Sequence, residues 1–448
     1  MNLKANFNEL KKAKTIKELV SVLDYRLLTT SALIILVAIT LTPFIALFTD
    51  YSLFLINYIL FFGYLGIIVT LISFLKSRLL FSFSNKVYFK QNIIPVFLFA
   101  MLCWAIIATF FSTDFVTAFQ GSGYRQTGLL MNFAFCGYYG CGYIVAKGNK
   151  PHYIFNLFSV VTVVLALLMI INSPALNAYL RTSQLCSVFF NQNHTGYYFC
   201  IATILNSVEI LRLKTNTKKN IVLFFIRLCA LGICFYGNIL SCSTGSFLAI
   251  IFGGCCLIFA TSLFNKKILK HTILIFLTLI IVIVIALFTS KNPLIASLRI
   301  ILDLGFILKN PKSPEALLAG SSRWHFWLET LNFIKAKPLF GYGLDCLGPE
   351  FANVGISYDK PHCEPLQFAA EIGIPAAIAY LIALTTFVVT FFKKKISDPL
   401  VIGLVCTVGA YVFSSLFGNT MFYTSPFFFM IFGMATSVLK IYQNNQPS

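Results

Sequence analysis

The residues able to do chemistry gather in a few short segments of this 448-residue chain. His362 lies in Asp359-Lys360-Pro361-His362-Cys363-Glu364-Pro365-Leu366-Gln367, and an imidazole titrating near neutrality can take a proton from a hydroxyl. A buried, hydrogen-bonded histidine is the plainer reading. Glu364 could orient that ring or be a bystander carboxylate, and the His-x-Glu pair has no third ligand at metal spacing. Arg323 follows two serines able to cap a helix, in Gly320-Ser321-Ser322-Arg323-Trp324-His325-Phe326-Trp327. A guanidinium at a helix start combines bidentate donors with the dipole and free N–H groups, which suits a diphosphate, although it could also hold a phospholipid headgroup. Arg125, in Gly121-Ser122-Gly123-Tyr124-Arg125-Gln126-Thr127-Gly128, either contacts the same anion or anchors a span end. Asn191, Asn193 and His194, in Phe189-Phe190-Asn191-Gln192-Asn193-His194-Thr195-Gly196, could bond a hydroxyl-rich ligand or cap a helix. Ser241, Ser243 and Thr244 read as helix-start and close-packing residues.

The elements that must position these groups are membrane spans. At 58% hydrophobic residues, 11% charged and a mean hydropathy of +0.83, the chain must be solvated by lipid. Apolar runs predict an all-α, polytopic protein with about a dozen spans: 29–48, 52–75, 93–111, 127–146, 153–172, 194–211, 220–238, 244–264, 271–289, 366–391, 399–418 and 422–439. The chain divides into a cytoplasmic interfacial segment 1–28, spans 29–289, a large loop 290–365, spans 366–440 and a tail 441–448. Lys and Arg cluster before the first span and after every second one, which puts both termini in the cytoplasm and the large loop outside. The net charge of +19 is therefore a topology signal and an attraction to membrane lipids, and nucleic acid is excluded as a partner.

Smaller expectations complete the reading. Leu10, Leu19, Val20 and Leu23 are spaced for an interfacial helix, and no cleavable signal peptide precedes the first span. The large loop should hold an amphipathic helix burying Trp324, Trp327, Leu328, Leu331 and Ile334, ending at Lys337-Pro338 before a Gly341-Tyr342-Gly343 turn. Most of the thirteen cysteines are span fillers, while Cys346 and Cys363 could form a disulfide. Arg227, within the seventh span, snorkels unless Glu209 is its partner.

Taken in order, the Arg125, Asn191–His194 and Ser243 segments, the Arg323–Trp327 helix start, Pro338-Leu339-Phe340-Gly341-Tyr342-Gly343, the His362 segment and Glu371-Ile372-Gly373-Ile374-Pro375 resemble the O-antigen ligase and O-antigen polymerase superfamily. That resemblance implies a membrane glycosyltransferase acting at the outer face of the cytoplasmic membrane. Its donor would be an undecaprenyl-diphosphate-linked glycan and its acceptor a glycan, lipid or other cell-envelope molecule, with no cofactor and no metal. It implies a catalytic His362 and Arg323, a diphosphate held by Arg323 and Arg125, an inverting displacement, and support from Asn191, Asn193, His194 and Glu364. Two positions depart from the family pattern: Thr244 stands where an arginine is usual, and Cys363 where asparagine is common. A lipid-linked oligosaccharide flippase or secondary transporter is the competing class, since twelve spans with both ends inside is also a transporter plan.

Overall fold

A continuous apolar run in lipid must satisfy its own backbone hydrogen bonds, and a helix does so within one segment. The computed structural model describes residues 14–15, 18, 20, 22–49, 53–79, 92–123, 125–189, 191–289 and 293–444. Most of the 1–28 segment, with Leu10 and Leu19, falls outside these, as do Tyr124, Phe190 and the end of the tail. In chain order the helices are α1 (Tyr25–Thr40), α2 (Thr42–Ala46), α3 (Leu53–Leu79), α4 (Ile93–Phe110), α5 (Phe115–Gln120), α6 (Leu129–Lys147), α7 (Pro151–Ile171) and α8 (Pro174–Tyr179). There follow α9 (Gln192–Arg212), α10 (Lys218–Leu240), α11 (Thr244–Phe264), α12 (Leu269–Thr289), α13 (Pro293–Lys309), α14 (Pro314–Leu317), α15 (Arg323–Ala336) and α16 (Leu347–Asn353). The chain closes with α17 (Glu364–Ile372), α18 (Ile374–Lys393), α19 (Pro399–Ser415) and α20 (Ser425–Asn444). Among the described residues the protein is all-helical apart from an isolated bridge between Ser183 and Ser187.

Ten of these helical segments are long and apolar enough to cross a membrane. Two of the dozen expected spans fall outside that set although both are helical: α9 is rich in polar residues and almost wholly buried, and α19 has 17 residues. Such central helices are sheathed by their neighbours and need not be apolar on every face. Packing relies on small residues. A Cβ on Gly137 of α6 would lie 2.0 Å from the Gly63 carbonyl oxygen of α3, and one on Gly433 of α20 would lie 1.9 Å from that of Tyr139, so these backbones touch.

The region 290–365 is more structured than one amphipathic helix, for it holds α13 to α16. Within it α15 buries Phe326, Thr330, Phe333 and Ile334, whereas Trp324 and Trp327 are half-buried and Leu331 is exposed. The buried stripe differs from the expected one because Phe326 and Phe333 both pack on Phe351 of α16, at ring distances of 6.3 and 5.1 Å. Ser322 precedes α15 in a left-handed conformation (φ 66°) and makes no side-chain cap. Cys346 and Cys363 are separate buried thiols, and Cys346 Sγ donates to the Asp114 carbonyl at 3.4 Å. Arg227 bonds Asn156 across to α7, while Glu209 pairs with Arg212 on its own helix.

Candidate active site

Three loops and one helix start converge at one end of the bundle. The turn after α15 is fixed by main-chain bonds to the end of α17: Tyr342 N–H donates to Ala370 O (2.9 Å), Gly343 N–H to Glu371 O (2.8 Å) and Ile374 N–H to Pro338 O (2.8 Å). Gly373 (φ 88°) makes this crossing possible, since a Cβ there would lie 1.8 Å from the Leu339 carbonyl oxygen. Several non-glycine residues of these loops are also left-handed: Gln126 (52°), Ser321 (58°), Asp345 (59°) and His362 (53°). Each such residue costs roughly 1 to 3 kcal/mol and persists only where its surroundings over-determine it, a pattern common at functional sites.

His362 is held at both backbone and ring by one residue. Its N–H donates to Asn419 Oδ1 at 2.9 Å, and Asn419 Nδ2 lies 3.3 Å from its Nδ1. The ring packs beside Phe326 (6.1 Å) and Tyr358 (5.9 Å). Burial pushes the imidazole down to about 3, with Arg323 and Arg125 acting in the same direction and Asp359 opposing them. The ring is thus neutral at pH 7, and both arginines lie within its electrostatic reach.

The two arginines differ in what binds them. Arg125 is buried and forms a bidentate pair with Asp359, Nε to Oδ2 at 2.7 Å and Nη2 to Oδ1 at 2.6 Å. Arg323 begins α15, its Nη1 donates to Gly320 O at 2.9 Å, and its Nε is buried with no partner. It has no carboxylate partner among the described residues. A guanidinium so placed at a helix N-terminus is a ready anion acceptor.

His194 joins this cluster from α9. It is buried, lies edge-on to Tyr197 (5.6 Å) and Tyr423 (5.3 Å), and has an unpartnered Nδ1. Its charged surroundings include Arg125, His362 and Asp359. Asn191 and Asn193 are occupied within the protein: Asn191 caps α9 by accepting from Asn193 N–H at 2.7 Å, and Asn193 Oδ1 accepts from Ser243 Oγ at 3.3 Å. Asn238 of α10 closes the arrangement by donating to Gly196 O and Ser246 Oγ, both at 2.9 Å. Thr244 begins α11 just beyond this knot.

Among the described residues Glu364 makes no hydrogen bond to the histidine. Its Oε2 accepts from the Tyr380 hydroxyl at 3.1 Å, and its Oε1 is buried without a partner. Burial pushes this carboxyl up to about 7, and the Tyr380 and Ser415 hydroxyls only partly offset that. Glu364 is the first residue of α17 and fully buried.

Sequence reasoning missed a buried ionic cluster at the centre of the three loops. Lys360 Nζ lies 2.5 Å from both Asp345 Oδ1 and Glu371 Oε1, with Thr127 Oγ1 at 3.3 Å. Burial alone would push the ammonium down, but the two carboxylates raise it overall. Asp345 also accepts from the N–H groups of Ser122 (3.0 Å) and Thr127 (2.8 Å), and Gln367 donates to Glu371 Oε2 (3.0 Å). The signal in sequence was weak, since a lysine among loop residues ordinarily faces water.

Among the described residues no group of three metal-ligating side chains occurs. No curated protein matches the chain. Residues 229–381 match the family model described as O-antigen ligase, a segment that runs from within α10 into α18 and contains Arg323, Lys360, His362 and Glu364. This match supports membership of the O-antigen ligase family.

Proposed function

We propose that this polytopic helical protein is a glycosyltransferase that moves a glycan from an undecaprenyl-diphosphate carrier to a glycan, lipid or other cell-envelope acceptor at the outer face of the cytoplasmic membrane. The observation that carries this reading is the pairing of a neutral His362 with Arg323, a guanidinium free of carboxylate partners among the described residues, in one cluster. The acceptor hydroxyl oxygen attacks the anomeric carbon while its proton passes to His362. The bond between that carbon and the diphosphate oxygen breaks, and its electron pair leaves with the lipid diphosphate. Direct displacement inverts the anomeric centre. Arg323, aided by the dipole of α15, stabilises the departing charge.

Proton transfer to Nε2 sets a condition on Asn419. Nε2 is an acceptor only when Nδ1 carries the ring hydrogen, and the Asn419 amide nitrogen near Nδ1 is itself a donor. The route therefore requires the Asn419 oxygen, which has two lone pairs, to accept from both His362 N–H groups. Arg125 holds the donor in a second role, exchanging part of its Asp359 pair for a phosphate oxygen, and His194 binds the glycan through its unpartnered nitrogen.

The test is product formation from a defined undecaprenyl-diphosphate oligosaccharide by purified protein in liposomes. New glycosidic bonds with an inverted anomeric centre are expected. A length ladder would identify a polymerase, and a single unit on another molecule a ligase. Translocation of the lipid without any new bond would overturn the reading in favour of a flippase.

A further inference from the structure

The chain from Asp359 to His362 has a fastening at nearly every residue. Asp359 holds Arg125, Lys360 holds Asp345 and Glu371, and His362 N–H binds Asn419. The Lys360 side chain is only 1% exposed, among partners from three different segments. Asp345 binds the loop that carries Arg125 through Ser122 and Thr127, and Glu371 belongs to α17, which follows His362 directly. Asp345 N–H also donates to Glu371 Oε1 at 3.3 Å. The lysine thus occupies the point where the Arg125 loop, the turn after α15 and the His362 segment meet.

Burial of one ammonium with two carboxylates is a poor device for stability alone, because desolvation consumes most of the attraction and apolar replacements often serve as well. Its distinctive property is directional. Three donors on Nζ fix the geometry of three acceptors, two on separate loops and one on α17, and the left-handed conformations of Asp345 and His362 are held against their strain on either side of it.

We propose that Lys360, with Asp345 and Glu371, is a positioning cluster that holds the His362 segment and the Arg125 loop in register, so that its loss costs turnover far more than donor affinity. This rests on the reading of His362 as the proton acceptor. Arg323 lies on α15, whose start is fixed by Gly320 and Asp303 rather than by the lysine. Cutting the cluster should therefore move the base and loosen Arg125 while leaving the Arg323 part of the anion site in place.

The experiment uses the full-length protein in detergent or liposomes with an undecaprenyl-diphosphate disaccharide as donor. Lys360→Met keeps the length of the stem and removes the charge. Lys360→Met with Asp345→Asn also removes the carboxylate charge that the single variant would leave buried, and it is the variant to use if the single one melts at a lower temperature. Three quantities are read: turnover, donor affinity, and the rate at which N-ethylmaleimide labels Cys363, followed by peptide mass spectrometry. Cys363 adjoins His362 and is 8% exposed, so its labelling reports movement of the segment without reference to catalysis.

The expected result is a loss of turnover approaching 10²-fold, the order expected when a reacting group is displaced by about 1 Å. Donor affinity, still held by Arg323, should fall by much less than turnover, and Cys363 should label faster. Lys360→Arg should recover part of the turnover. A folded variant with unchanged labelling and unchanged turnover would overturn the proposal. So would a loss of donor affinity as large as the loss of turnover. His362→Ala is measured alongside: if it retains turnover, the catalytic reading has failed, and the labelling rate alone then decides whether the cluster holds the segment.

Discussion

His362 and Arg323 are expected to fail differently when removed. General-base assistance contributes about 10²- to 10⁴-fold, so His362→Ala should depress turnover strongly while donor affinity stays nearly intact. Arg323→Ala should weaken donor binding as well, because its guanidinium meets the diphosphate in both the ground and the transition state. Turnover and donor binding, measured on folded protein of both variants, check the split; near-normal turnover in His362→Ala would shift the base to His194. A pH profile adds a second test at this scale. Because burial holds the free imidazole near 3, the ring stays unprotonated as the pH falls through 6.5, and it gains its proton only near the lower value. The kcat/KM profile, which reports the free enzyme, should thus lack an acid limb near 6.5. Asn419→Asp places a carboxylate beside the ring, which favours the imidazolium and moves that limb upward. A limb already centred at 6.5 in the unaltered protein would mean that another group titrates. These candidate residues were visible in sequence by type. Their states were not: nothing in the order of residues shows that Arg125 is matched by Asp359, that Glu364 bonds Tyr380, or that Lys360 is buried.

At the scale of elements, hydropathy made the spans legible because a lipid-facing helix must be apolar along its whole length. It read the loop less well, since the faces of α15 are chosen by Phe351 and Tyr342 from elsewhere in the chain and periodicity carries no record of a partner. The glycines of Gly341-Tyr342-Gly343 mark a turn in the sequence, but nothing there marks its docking on α17. That docking has a sharp requirement at Gly373, where φ is 88° and the space for a Cβ is filled by the Leu339 carbonyl. Gly373→Ala should therefore separate the turn from α17, and with it displace Asp345 and the loop of Arg125. We expect less folded protein, a lower melting temperature and little residual turnover, checked by thermal unfolding in detergent. Gly305, where a Cβ would meet nothing within 4 Å, is the matched control, and Gly305→Ala should behave as the parent does. If Gly373→Ala melts with the parent as well, the crossing is not the constraint that the geometry implies.

For the whole molecule, the distribution of charge bears on the face at which the proposed reaction would take place. Lysines and arginines cluster on the connections expected inside, while His362, Arg323, Arg125 and His194 converge at one end of the bundle. If the positive-inside rule orients the chain, that end faces away from the cytoplasm, and a lipid-linked donor must already have crossed before it can react. Protein reconstituted in one orientation, with donor confined to one leaflet, should form product only when the donor lies opposite the termini. The position of each terminus can be read independently, by protease cleavage of a tag. Because the proposed site neutralises the leaving diphosphate with guanidinium groups, the same reaction should continue in excess chelator. A loss of turnover in chelator that magnesium or manganese restores would sink the guanidinium account and call for an acidic metal site near the donor. Product made from donor on the side of the termini would instead reverse the orientation while leaving the chemistry of the cluster in place.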